Sequence, residues 1–172
     1  MIDLHIATDR LLITVFDENM SDDVHLNSLD EDNRRFVPDE VFETLGEAKE
    51  VVMLLMKNYG FRNIPLVYPI FLKNGKNIGY VQAVPCGGMW EIGYHISKAY
   101  TGNGYAAEAV GAFLPIIMEF LGIDKMLGIC LEENIASQKV LEKCGFELFF
   151  CGKGDYQGIK RLIRKYSYKR NI

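Results

Sequence analysis

The residues with the clearest chemical potential are Tyr100-Thr101-Gly102-Asn103-Gly104-Tyr105-Ala106-Ala107-Glu108. A Gly-x-Gly turn followed by small alanines lets the backbone come close to a ligand and leaves N–H groups free at a helix start. Directed N–H groups and the positive end of a helix dipole together hold phosphate. A bare glycine turn without a ligand fits the same residues. Gly102-x-Gly104-x-x-Ala107 also satisfies a relaxed dinucleotide fingerprint, with Asp124 near the distance expected of a ribose partner. That fingerprint opens a run of βαβ units, however, and here too little chain follows for a doubly wound sheet. There is no GxxxxGK[ST] motif. Cys86, Cys130, Cys144 and Cys151 show no paired spacing, and His5, His25 and His95 are scattered. Neither a metal site nor a disulfide framework is expected; the cysteines read as reduced thiols.

The elements that must position this turn follow from periodicity. Arg10 to Phe16 predicts a strand. Asp17 to Tyr59 reads as helical, in two helices, with starts at Asp17 and Pro38-Asp39 and a stop at Gly60. Val41, Leu45, Ala48, Val52 and Leu55 form one apolar face within it. Leu66 to Leu72 and Ile78 to Val84 are β-rich runs around Asn74-Gly75, which predicts a type I′ hairpin with φ > 0 at both residues. Met89 to Ile96 is a third strand. Helix Gly102–Leu121, strand Lys125–Leu131, helix Asn134–Cys144 and strand Phe146–Cys151 follow, with one more strand within Tyr156–Tyr168. Pro115 inside the first of these helices predicts a kink or a break. The sum is an α+β domain with a mixed sheet, two helices before the meander and two after it.

The 172 residues suit a single domain over 1–172, and 49% apolar with 24% charged residues is the profile of a globular protein with a core. The longest uncharged stretch, Asn77 to Trp90, has 14 residues, against about 20 needed to cross a bilayer. Asp3, His5, Asp9 and Arg10 interrupt any signal-peptide pattern, so a cytoplasmic protein without membrane contact is expected. The net charge of −4 is uneven: −9 over residues 1–60, −1 over 61–152 and +6 over 153–172. Two partner surfaces, or two faces that attract each other on folding, both fit this split. Nucleic acid is disfavoured, because the basic cluster is short and terminal.

The run WEIGYHISKAYTGNGYAAEAV, followed by Asn134-Ile135-Ala136-Ser137 and Leu141-Glu142-Lys143-Cys144-Gly145-Phe146, resembles the GNAT superfamily of N-acetyltransferases. It is most similar to the branch typified by ribosomal-protein N-terminal acetyltransferases. The opening Thr8-Asp9-Arg10-Leu11-Leu12-Ile13 matches that branch's first strand, so the resemblance spans nearly the whole chain. It implies a mixed, mostly antiparallel central sheet with a splayed middle strand and helices on both faces. It also implies acetyl-CoA as co-substrate and no metal.

Carried over residue by residue, His95 and Ile96 would bond pantetheine through backbone groups. Thr101, Gly102, Asn103, Gly104, Tyr105 and Ala106 would cradle the pyrophosphate. Thr101 departs from the Gln or Arg usual in that family, which implies weakened rather than lost affinity. Asn134 matches the asparagine that touches the cofactor arm, and it equally suits a helix N-cap. The helix lacks the tyrosine that many GNAT enzymes use to protonate the leaving thiolate; in the resembling branch Ser137 would take that role, or serve as a plain capping serine. Glu91 is the candidate base. Strand alternation puts Glu91, Gly93 and His95 on one face and Trp90, Ile92, Tyr94 and Ile96 on the other. Burial among apolar residues would raise the Glu91 pKa toward neutrality, while a solvated edge carboxylate is the plainer reading. His95 is the spare base, and Glu108 belongs to its helix's dipole.

The expected activity is acetyl transfer to a primary amine by direct attack, the alternative being an idle acyl-CoA-binding module. Asp30, Glu31, Asp32, Asp39, Glu40 and Glu43 would suit a cationic acceptor such as a peptide N-terminus, polyamine, amino sugar or small metabolite. A monomer or homodimer is expected.

Overall fold

The computed structural model describes residues 4–170, so Asp3 lies outside it. Eight strands form one sheet in the order β1-β2-β3-β4-β5-β6-β8-β7. They are β1 (Ile6–Ala7), β2 (Leu11–Ile13), β3 (Leu66–Leu72), β4 (Asn77–Cys86), β5 (Met89–Ile96), β6 (Lys125–Leu131), β7 (Glu147–Tyr156) and β8 (Ile159–Lys169). Every neighbouring pair is antiparallel except β5 and β6. The α+β mixed sheet expected from the sequence is therefore the observed fold.

Three α-helices, not two, precede the meander: α1 (Ser21–Ser28), α2 (Glu31–Phe36) and α3 (Leu45–Asn58). The extra break falls where local capping chemistry places it. The Asp30 carboxylate accepts from the Asp32 N–H and starts α2, and Pro38 opens a separate 3-10 turn, Pro38–Glu40. α3 begins at a capping box, in which Thr44 Oγ1 accepts from the Glu47 N–H and the Glu47 carboxylate from the Thr44 N–H. Ala48 and Val52, both fully buried, carry its apolar face into the core. α4 (Tyr105–Leu121) and α5 (Ile135–Lys143) follow the meander. α4 remains in one piece across Pro115, so the break weighed from sequence does not occur. Its buried Val110, Phe113, Leu114, Ile117 and Met118 anchor it from both turns around the proline.

Two local expectations change. The Asn74-Gly75 connection is not a type I′ turn, since Gln157 is the one non-glycine with positive φ among the described residues. Instead Gly75 alone takes φ +84°, its N–H donates to the Leu72 carbonyl, and the Leu72 N–H donates to Lys76. This is a three-residue connection closed by a left-handed glycine. The tight turns with two positive φ values are Gly87-Gly88, between β4 and β5, and Gln157-Gly158, between β7 and β8. Most of the basic C-terminal cluster lies in β8, inside the sheet, and Arg161, Arg164 and, just after β8, Arg170 pair with Glu133, Glu132 and Glu119 rather than with the acidic first third.

Candidate active site

The site grows from a defect in the sheet. β4 and β5 stay in register over eight residue pairs, Gly79↔Ile96 through Cys86↔Met89, whereas β5 and β6 pair only at Glu91↔Leu127 and Ile92↔Gly128. Beyond Ile92 the two parallel strands part. Gly128 lets α5 press on β6 there: a Cβ at that position would lie 2.5 Å from Leu141 Cδ2. The Ser97 N–H donates to the Ile78 carbonyl across the β4 side. By antiparallel alternation the backbone of His95 also faces β4, while that of Tyr94 and Ile96 faces the gap.

At the end of β5 the chain enters the glycine turn. Gly102 and Gly104 adopt φ +79° and +78°, and Gly104 is the N-cap of α4. Nothing lies within 4 Å of a Cβ built on Gly102, so the cradle is open. Its first-turn amides, the helix dipole and the absence of side-chain bulk fit a pyrophosphate. The turn is braced from the far end of the sequence. Arg10 donates through Nη1 to the Asn103 carbonyl (2.9 Å) and through Nε to Glu108 Oε2 (2.7 Å), with its guanidinium 4.6 Å from the Tyr105 ring centre. Asn103 Nδ2 donates to the carbonyls of Tyr100 and Thr101.

The gap and the turn belong to one cleft of about 690 Å³ that passes between the acidic helices and the β7 tip. Of the carboxylates that line it, burial pushes two, Glu40 and Glu91, up to about 7. For Glu91, burial outweighs the Cys86 thiol, the Lys165 charge and the Ile129 amide, all of which favour the ionised form. For Glu40, burial outweighs a hydrogen bond from Gln82 Nε2 to Oε1 (3.0 Å), while the charges of Asp39 and Glu91 raise it further. Gln82 reaches Glu40 because it lies across Gly93, its cross-strand partner. A Cβ there would meet Gln82 Nε2 at 2.7 Å. On the opposite face of β5 the Tyr94 hydroxyl sits 2.9 Å from Ser137 Oγ and 3.0 Å from the Ser137 carbonyl. Burial pushes the Tyr94 phenol up, so it keeps its proton. Beside them the Cys130 thiol is raised to about 11, first by burial, and stays protonated too.

A family model for the acetyltransferase (GNAT) domain matches residues 10–147. The chain belongs to the GNAT family of acetyltransferases. An uncharacterized N-acetyltransferase of Bacillus subtilis, YnaD, is 30% identical over 145 residues, covering 83% of this chain and 82% of the relative. Among solved structures, a GNAT-family acetyltransferase from Bacillus anthracis shares the fold at TM-score 0.80 and 24% identity, covering 96% of this chain and 98% of that one. A ribosomal-protein alpha-N-acetyltransferase, RimL, solved with coenzyme A, does so at TM-score 0.83 and 19% identity, covering 97% and 98%.

In this GNAT domain the residues singled out from sequence take distinct places. Glu91, His95, Ile96, Thr101, Gly102, Gly104, Tyr105, Ala106, Asn134 and Ser137 all line the cleft. Asn103 instead holds the turn's shape. Asn134 is the N-cap of α5, its side chain accepting from the Ser137 N–H at 3.1 Å. Thr101 Oγ1 is spent on the Lys98 carbonyl. Glu108 does more than face the dipole, since it also accepts from Thr8 and Arg10. Of the acidic residues, Asp30, Glu31 and Glu43 are committed to Lys98 and Arg34, while Asp32, Asp39 and Glu40 face the cleft. Tyr156 roofs the same side, donating from β7 to the Phe36 carbonyl at 2.9 Å. Sequence reasoning missed Tyr94 as the partner of Ser137, Glu40 as a second buried carboxylate of the cleft, and Arg10 as the brace. Strand alternation had set Tyr94 opposite Glu91, but nothing local pointed to contacts made 43 and 93 residues away.

Proposed function

We propose that this GNAT domain moves an acetyl group from acetyl-CoA directly to a primary amine, with Glu40 and Glu91 as the proton-accepting pair and Tyr94–Ser137 as the proton donor. One observation carries the reading. Two carboxylates tuned to about 7 and a protonated hydroxyl pair line the same cleft as the open edge of β5 and the glycine turn. Acetyl-CoA supplies the activated acetyl group. The turn amides from Gly102 to Ala106 hold its pyrophosphate, and the backbone of Tyr94 and Ile96, rather than that of His95, bonds its pantetheine. Their position at the gap also suits them to steady developing negative charge on the thioester oxygen.

The acceptor enters as an ammonium drawn by Asp32, Asp39 and Glu40. Glu40 or Glu91 takes its proton; with burial pushing both up to about 7, each is partly ionised near neutral pH. The free amine attacks in line, and Ser137, backed by the Tyr94 phenol, gives a proton to the departing sulfur. Direct transfer is favoured over an acylated cysteine because Cys130 in the cleft keeps its proton, and a thiol is a weak nucleophile beside a thiolate.

A thiol-release assay over an amine panel, run from pH 5.5 to 9, tests this. The expected kcat/KM falls on the acid side with a limb near 7, and Glu91→Gln and Glu40→Gln each flatten that limb. Coenzyme A binding without turnover of any amine, or a limb unchanged in both variants, overturns the assignment.

A further inference from the structure

Behind the carboxylate pair lies a second cavity, of about 270 Å³, between α1, α3 and the sheet. It adjoins the cleft, since Asp39, Glu40, Tyr80, Gln82 and His95 line both. Its walls are mainly apolar, with Phe16, Val24, Phe42, Val51, Leu55 and Val67 among them. Its polar groups are unusual. Among the described residues, five buried side-chain polar atoms have no hydrogen-bond partner, and three of them belong to residues lining this chamber: Asn33 Oδ1, Asn77 Nδ2 and His95 Nε2. These residues are 1%, 2% and 9% exposed. A buried polar atom left unpaired is costly, so three around one cavity call for a partner inside it.

The neighbours fix which atom is which. Asn33 Nδ2 donates to the carbonyls of Ser28 and Glu40, so its free atom is an acceptor. Asn77 Oδ1 accepts from Asn27 Nδ2 and from the Gly79 N–H, so its free atom is a donor. A hydroxyl, at once donor and acceptor, can satisfy either. A carboxylate would face Asn33 Oδ1, Asp39 and Glu40, and an ammonium would face the Asn77 donor. An apolar cavity of about 150 Å³ already accepts a benzene ring, so this one has room for a ring with a short linker.

We propose that this chamber is the subsite for the acceptor's side arm, and that it takes an apolar arm of phenyl-like bulk ending in one uncharged hydroxyl while the amine stays at Glu40 and Glu91. The proposal rests on the transfer reading for the amine, and the chamber itself can be probed without it. The probes are p-cresol and toluene by calorimetry, and tyramine and phenethylamine as acceptors. p-Cresol is expected to bind and toluene to bind about tenfold more weakly, with tyramine about tenfold better than phenethylamine in kcat/KM. Val51→Phe, which narrows the chamber, is expected to bring the two amines' kcat/KM together. A tripeptide starting with tyrosine distinguishes the source of the arm: a higher kcat/KM than tyramine assigns it to a peptide N-terminus, a lower one to a free small amine. Equal use of tyramine and phenethylamine with no p-cresol binding overturns the subsite and leaves the transferase standing. p-Cresol binding with no amine acetylated overturns the transfer reading and with it the arm assignment.

Discussion

The two sides of the cleft are built from different materials. The side proposed for the cofactor, from the gap edge of β5 through α5, presents backbone: amides of a left-handed glycine turn, the unpaired edge of β5, and glycines where a Cβ would collide. The side proposed for the acceptor, from the Pro38–Glu40 turn, β4, the Glu91 face of β5 and the β7 tip, presents side chains: Glu40, Glu91, Gln82, Tyr156 and the carboxylates around them. Backbone recognition needs particular residues at fixed local spacing. Side-chain recognition can be assembled from distant positions, and here it is.

The largest expected effect breaks the acceptor side. Glu91→Gln and Glu40→Gln should each lower kcat/KM by about 10²-fold at pH 8, general base catalysis being worth at least that, with coenzyme A affinity unchanged by calorimetry. On the cofactor side, Gly104→Val forces a β-branched residue to φ +78°. Strain of about 1–3 kcal/mol should weaken coenzyme A binding roughly 10- to 100-fold. Tyr94→Phe removes the phenol behind Ser137 and should cost about tenfold in kcat with little change in KM.

Gly93→Ala sharpens the comparison, because it changes a backbone position to disturb a side chain. The added methyl displaces Gln82 from Glu40. With that stabilising bond to the ionised carboxylate gone, the acid limb should move to higher pH in the rate profile. Stability should respond as well. Folding raises both carboxyls from 4.5 to about 7, so the folded protein binds more protons than the unfolded chain between those values. Their favourable contribution is complete below the lower value and lost as pH rises through 7. The Glu40→Gln, Glu91→Gln double variant should therefore gain more in Tm over the parent at pH 8 than at pH 5, by about 2–4 °C for each kcal/mol. The smallest effect is on steering. Raising salt from 50 to 300 mM should increase KM for a cationic amine about two- to threefold, as carboxylate attraction is screened.

The same division explains what was legible in the sequence. β3, β5 and β6 were expected at Leu66–Leu72, Met89–Ile96 and Lys125–Leu131, and they run over those residues because apolar and β-branched runs bounded by turn residues specify strands locally. The glycine turn declared itself by spacing. Helix α4 starts three residues later than expected, because Gly102 and Gly104 are consumed by the turn. The front helices were read too coarsely, since short capped helices carry little periodicity. Glu40 stood in an undifferentiated acidic run, and only the fold separates it from Glu31 and Glu43, whose charges Lys98 and Arg34 take up. The second cavity left no sequence signal at all, because its polar atoms come from Asn33, Asn77 and His95, on three separate elements.

The most direct test measures coenzyme A affinity and saturated turnover side by side on Glu91→Gln and Gly104→Val. The expected result is crossed: Glu91→Gln keeps the parent affinity and loses turnover about 10²-fold, while Gly104→Val loses affinity and keeps turnover once coenzyme is saturating. Parallel losses of affinity and turnover in both variants would contradict a cleft whose backbone side binds and whose side-chain side reacts.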